Sequence, residues 1–359
     1  MQITLKTETL QALVNKAIKG MSNNKMLPIT EMIGINLDGT TLSLVTTDGR
    51  NKVQVLDTID NAENIQFNIS VNGNNFSKLI QKITSQNITL TIEDNKLEVK
   101  GNGTYTFSLP VDEDGNVVVL SSIVPEGLDI QEVNVNDLKA SYNLNKESVA
   151  TTMETPAYTG FYYDSNGSIT TNSLKISSVK TKLLNNPVLL YANFVELFTL
   201  LEDEKAQIIQ NNSEIFVKTK SIILKGSKMS DLSEFPVDSI RPFLEEDMEH
   251  KVRVNKQALL DLLERISIFV TPYDKNGIRI DFTKDGMIIW TIKGDSNELL
   301  PYSGSENVIN HTIKLDITNF KALVSSNPEE EVTIHYGSPV AIKMTFGNTI
   351  QVVSLQDGN

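Results

Sequence analysis

Three stretches of the chain repeat one pattern of apolar and polar positions. From Ile69 to Ile83, ISVNGNNFSKLIQKI opens strand-like and breaks at Asn72-Gly73. An apolar stripe follows at Phe76, Leu79, Ile80 and Ile83. That predicts a strand feeding an amphipathic helix. LLYANFVELFTLL repeats it with Phe194, Leu197, Phe198 and Leu201, and LDITNFKALV with Phe320, Leu323 and Val324. The motif Asn-Phe-x-x-Leu thus recurs at spacings of 118 and 126 residues. About 65 residues before each copy lies another strand–helix start. The first carries Leu10, Leu13, Val14, Ala17 and Ile18, and the third Leu259, Leu262, Leu263 and Ile266. The middle one holds its face only through Leu138, Tyr142 and Val149. Thr7, Asn134 or Asn136, and Asn255 occupy expected N-cap positions.

Between the helices, alternating residues and tight turns predict hairpins. The turns fall at Asp38-Gly39, Asp94-Asn95, Asn102-Gly103, Asn166-Gly167 and Asp285-Gly286. Each unit reads strand, helix, hairpin strands, then the same again, so each is two similar halves. Ser121–Gln131 and Ser239–His250 carry Pro and charge without a clean period, which places joins near 126 and 249. The expected fold class is α+β, with three repeated domains at 1–125, 126–248 and 249–359, each packing two helices on antiparallel sheet. Three such units in series leave a free strand edge at each end. If the free edge of the first unit meets that of the third unit of another copy, a head-to-tail ring closes. Each chain is then half of the ring.

Composition adjusts this picture. The chain has 359 residues, 40% hydrophobic and 21% charged, as ordinary globular proteins do. No apolar run reaches the roughly 18 residues of a membrane span. MQITLKTETL has no basic region followed by an apolar core, so no secretory signal is expected. The absence of cysteine excludes disulfides and thiolate chemistry and fits a cytoplasmic location. A net charge of −13 argues against nucleic-acid binding if evenly spread. It is not. The six helix windows 8–20, 74–83, 137–150, 192–201, 256–267 and 318–326 together carry +3, leaving −16 for the rest. Including Glu202, Asp203 and Glu204 erases the excess. Lys16, Lys19, Lys78, Lys82, Lys139, Lys146, Arg265 and Lys321 lie on these helices, mostly off the apolar stripes. They are candidates for loose phosphate contact, with ordinary solvated cations as the alternative.

Catalytic and metal patterns are absent. His250, His311 and His335 lack the spacing of a metal site or triad. Asp112–Asn116, DEDGN, begins like a calcium loop, but Ile123 stands where its twelfth-position Glu belongs. There is no phosphate loop. Neither an enzyme nor a cofactor is expected.

Four stretches in order, NKMLPIT…DGTTLSLVTTDGRN (Asn24–Asn51), TYTFSLP (Thr104–Pro110), SDLSEFPVD (Ser230–Asp238) and TIQVVSL near the C-terminus, carry a specific likeness. With the triplication, the whole chain resembles the bacterial-type DNA polymerase sliding clamp, the β subunit. The resemblance implies a dimeric ring around duplex DNA that tethers a polymerase and is opened by a loader ATPase. It implies DNA contact at Lys25 and ring closure through Phe107 and Leu109 against Phe269 and Val270. It also implies a groove for short partner peptides at Tyr158, Thr171, Leu174, Lys175, Ile176, Pro236, Val340, Val352 and Val353. For each closing and groove residue, burial in its own domain is the alternative. Thr171–Ile176, TNSLKI, departs from the family's Thr-Asp-Gly-x-Arg-Leu, and Lys175 puts a point charge where a planar guanidinium stands. The polar end QDGN replaces an apolar and basic tail. Both imply an altered peptide preference. Two rival readings stay open: a phage or mobile-element paralogue recruiting repair or other factors, and a β-rich binding module that forms no ring.

Overall fold

The computed structural model describes residues 1–61 and 64–356. One order of elements recurs three times. First come β1 (Gln2–Lys6), α1 (Thr7–Ala17), β2 (Met32–Asp38), β3 (Thr41–Thr47), β4 (Lys52–Thr58), β5 (Phe67–Asn72), α2 (Gly73–Lys82), β6 (Asn87–Glu93), β7 (Lys96–Lys100) and β8 (Thr104–Ser108). Then come β9 (Asp129–Asn134), α3 (Val135–Asn145), β10 (Gly160–Asp164), β11 (Gly167–Thr171), β12 (Lys175–Val179), β13 (Val188–Tyr191), α4 (Ala192–Glu196), β14 (Lys205–Gln210), β15 (Glu214–Lys218) and β16 (Ile222–Ser227). After α5 (Val237–Glu245) follow β17 (His250–Asn255), α6 (Lys256–Ser267), β18 (Gly277–Phe282), β19 (Met287–Thr291), β20 (Asn297–Leu300), β21 (Gly304–Glu306), β22 (His311–Asp316), α7 (Ile317–Ser326), β23 (Glu331–Tyr336), β24 (Ala341–Phe346) and β25 (Thr349–Ser354). Apart from α5 and β21, this is the half-unit βαβββ six times over.

The pairing repeats as faithfully. Each copy builds two four-stranded antiparallel runs: β1-β6-β7-β8 and β5-β2-β3-β4, then β9-β14-β15-β16 and β13-β10-β11-β12, then β17-β23-β24-β25 and β22-β18-β19-β20. Adjacent copies are stitched by one strand pair each, β4 with β16 and β12 with β25. β21 adds an edge on β17. The chain divides into two compact units, Met1–Asn136 with Asn193–Lys228, and Asp137–Ala192 with Met229–Asn359. The middle copy contributes a run to each.

The helix stripes read from sequence are the buried faces. Leu10, Val14, Phe76 and Ile80 are fully buried in the first unit, as are Leu259, Leu263, Phe320 and Leu323 in the second. Burying each such side chain contributes about 1.5–3 kcal/mol. Gln11 ties α1 to α2, its amide donating to the carbonyls of Ile80 (2.9 Å) and Ile83 (3.0 Å). Asn72, Asn255 and Asp316 each accept an N–H three residues on, capping α2, α6 and α7. Asn134 accepts from the Asn136 N–H just ahead of α3.

Three expectations change. Thr7 is the first helical residue rather than a cap, and its hydroxyl donates to the Ser85 carbonyl. The hairpins expected at Asp94-Asn95 and Asn102-Gly103 both form, but only Asp94 and Asn95 adopt the left-handed φ that a type I′ turn needs. In the second, the Asn102 side chain instead accepts the Thr84 N–H at 2.7 Å. The stretch 239–250, read as a join, contains most of α5. Pro242 disguised it, since proline is disfavoured inside helices. Ile240 and Leu244, four apart, bury its inner face.

Candidate nucleic-acid and partner interfaces

The nine candidate DNA-contacting cations fall into two groups. Lys19, Lys25, Lys78, Lys82 and Lys146 are exposed and Lys139 half-buried. Lys146 lies 5.7 Å from the centroid of the Tyr142 ring. The other three are engaged by glutamates. Lys16 meets Glu202 at 2.6 Å, Lys321 meets Glu264 at 3.1 Å, and Arg265 meets Glu298 at 2.5 Å. These bonds hold the Glu298 carboxyl below its ordinary range and raise the Arg265 guanidinium. Glu202 lies outside the helix windows in sequence but folds back onto Lys16, so part of the basic excess counted from sequence is cancelled in place.

Of the candidate closing residues, Phe107 is half-buried on β8 and meets Phe76 edge to face, centroids 5.8 Å apart. Leu109 is core, only 6% exposed. Phe269, just past α6, is 53% exposed. Val270 packs against the core beneath α6 and α7. The exposed apolar run here is Ile268, Phe269 and Tyr273, at 77%, 53% and 98%. The sequence reading missed Ile268 and Tyr273, because exposure leaves no trace in periodicity. Among the described residues, β8 and β20 are each paired on one side only.

The groove candidates separate by strand face. Tyr158, Ile176 and Val352 join one apolar cluster with Phe235, Ile240 and Leu244. Pro236 is half-buried at the start of α5. Leu174 and Val340, 52% and 50% exposed, flank the end of β25, where their carbonyls accept the N–H groups of Ser354 and Leu355. Val353 points the other way, into the core with Leu263 and Phe320. Its cross-strand partner Lys175 shares that face and is itself buried. Burial lowers the Lys175 ammonium, opposed by Glu147 and Asp316. Thr171 is also buried, its hydroxyl donating to the Lys175 carbonyl at 3.0 Å. Thr171, Lys175 and Val353 are therefore not brought to the apolar cluster. Sequence reasoning missed Arg241, which pairs with the buried Asp164 and lines a cavity of about 260 Å³ with Ile169 and Leu244 of that cluster. Of the polar tail, residues 357–359 lie outside the described residues.

Among the described residues no group of His, Asp and Glu could hold a metal ion, and no helix is long and apolar enough to cross a membrane.

A triplicated pair of βαβββ halves, with neighbouring copies paired strand to strand, is the fold seen in solved DNA sliding clamps. The solved clamp from Bacillus subtilis matches with a TM-score of 0.82 at 14% identity, covering 100% of both chains. The β subunit of the Streptococcus pyogenes DNA polymerase matches at 0.83 and 18%, again over 100% of both. DNA polymerase III subunit beta from Borrelia burgdorferi, solved with a natural product, matches at 0.85 and 14% over 100% of both. Residues 1–117 match the family model for the N-terminal domain of the DNA polymerase III beta subunit. No match was found among curated protein sequences.

Proposed function

We propose that the chain is a DNA sliding clamp, in which two copies close head to tail around duplex DNA and tether a polymerase. One observation carries the reading. Two junctions follow one rule, the fourth strand of one copy pairing with the last strand of the next: β4 with β16, β12 with β25. Applied once more, the rule pairs β20 with β8. Both are free edges of a single chain, so a second chain supplies the partner.

The helix ends support this. Three residues beyond the last buried residue of α1, α3 and α6 (Ala17, Asn145, Ile266) stand Gly20, Ser148 and Phe269. At Gly20 a Cβ would lie 2.5 Å from the Thr46 hydroxyl and 2.6 Å from Val53, and Ser148 is fully buried. Only the third copy ends in a large, 53% exposed apolar residue at that place. That is what a junction completed by another chain requires.

In this reading the three domains meet near residues 126 and 249, and the helices line the hole. Lys16, Lys19, Lys25, Lys78, Lys82, Lys139, Lys146, Arg265 and Lys321 supply sequence-independent contact. Closure uses Phe107 and Phe269, with Leu109 and Val270 supporting them from the cores. Polymerase and loader ATPase dock through short peptides on the Tyr158, Ile176 and Val352 cluster, flanked by Leu174, Pro236 and Val340. The clamp acts in the cytoplasm by topology rather than chemistry. The test is retention on a nicked circular plasmid followed by linearisation. A threaded ring is released; protein that stays is bound by contact, and the reading fails.

A further inference from the structure

Resting on that reading, we propose that Glu202 and Glu264 mask the helix cations, competing with DNA phosphate for Lys16 and Lys321. Each glutamate reaches its lysine from a different element. Glu202 follows the helical turn after α4 and meets Lys16 of α1 in the first unit. Glu264 lies on α6 and meets Lys321 of α7 in the second. Both glutamate side chains remain 65–67% exposed, against 25–34% for the lysines, so in each pair the acid is the partner more open to solvent. Phosphate must therefore compete with a carboxylate already bonded to each ammonium. The pair Arg265–Glu298 is reversed, the cation 56% and the acid 38% exposed, and Glu298 lies on the β20 edge, so it is not counted with these two.

Such pairs are weak when exposed, so they yield to phosphate without abolishing contact. Their effect is to lower the number of phosphates neutralised at once. That number sets the salt dependence of DNA binding, about 0.9 per contact in the slope of log K against log salt. A protein that must slide gains from few simultaneous contacts. The acids thus tune grip rather than fold, and the chain keeps basic helix faces without holding DNA fast.

The test compares Glu202→Gln/Glu264→Gln with the wild type and with Glu93→Gln/Glu154→Gln. The second variant changes net charge equally at exposed glutamates that lie outside the helical segments. Binding to a blunt duplex of about 30 bp is followed by fluorescence anisotropy from about 50 to about 200 mM salt. The masked-pair variant should bind about 3- to 10-fold tighter at low salt, with a slope steeper by about 1.8. The control should stay near wild type. Equal changes in both variants, or none in either, overturn the proposal. Failure of wild type in the linearisation test counts against threading alone, because the duplex assay needs no ring.

Discussion

The hydroxyl of Thr171 donates to the carbonyl of Lys175 at 3.0 Å, closing a turn in which Ser173 has a φ of +77°. Thr47 closes the equivalent turn of the first copy, donating to the Asn51 carbonyl at 2.6 Å, and there Gly49 takes the left-handed position at +97°. Asn172 and Asp48 serve both turns alike, each accepting two backbone N–H groups. The left-handed position, however, holds Gly in the first copy and Ser in the second, and a side chain there is strained. Ser173→Gly should stabilise the protein by about 0.5–1 kcal/mol in urea unfolding. A neutral or destabilising result would show that the side chain, not the backbone, governs this turn.

Phe269 and Leu109 should fail differently. Phe269 is exposed, so Phe269→Asp should leave urea stability within about 0.5 kcal/mol. If Phe269 closes the ring, the same change should convert dimer to monomer in sedimentation. Leu109 is buried, and Leu109→Ala should cost about 2–5 kcal/mol whatever the assembly. A Phe269→Asp protein that remains dimeric at micromolar concentration would remove that residue from the interface.

The pattern of helices and hairpins was legible because buried faces keep their period. Five of the six repeated helices carry apolar stripes. α3 was faint because polar groups fill its buried positions: Ser141 bonds the Tyr163 hydroxyl at 2.9 Å, and Asn145 bonds Ser168 at 2.8 Å. Neither partner is near in sequence, so neither bond could be foreseen. α5 was hidden by Pro242. The groove was legible as a set of positions but not by face. Val352 and Val353 are adjacent on one strand and enter different cores, a distinction that depends on register. Glu202 on Lys16 joins residues 186 apart, beyond any local reading.

That division of faces gives a direct prediction. Ile176→Ala and Tyr158→Ala, on the outer cluster, should weaken capture of a polymerase-derived clamp-binding peptide by about tenfold or more each, as anchors at an apolar site do. Their stability should fall by no more than about 2 kcal/mol, since both are only partly buried. Val353→Ala should cost about 2 kcal/mol of stability and leave peptide affinity unchanged. Calorimetric titration of each variant with the peptide separates the outcomes. Equal loss of affinity in all three would mean that the cluster is not a separate docking face.

Acidification should destabilise the second unit through His335. Its Nε2 lies 2.9 Å from the Thr345 hydroxyl, and across the strand pair it stands opposite Lys343. Burial lowers its pKa, with Lys343 and Lys251 acting the same way, while Asp247 and Glu306 oppose them. Lys343 is itself buried and donates to the Leu244 carbonyl at 3.2 Å and to that of Glu246, holding the end of α5. With the folded pKa below the ordinary histidine value near 6.5, the unfolded chain binds the proton more readily. Stability is then complete above that ordinary value and declines as the pH falls through it. His311, also lowered by burial and by His250, adds in the same direction. Urea midpoints should drop between about pH 7.5 and about pH 5.5, and His335→Gln should flatten part of that drop. Hydrogen exchange should locate the change, with α5 amides losing protection first in the wild type and keeping it in His335→Gln. A variant with the same pH slope as the wild type would show that His335 is not the responsible group.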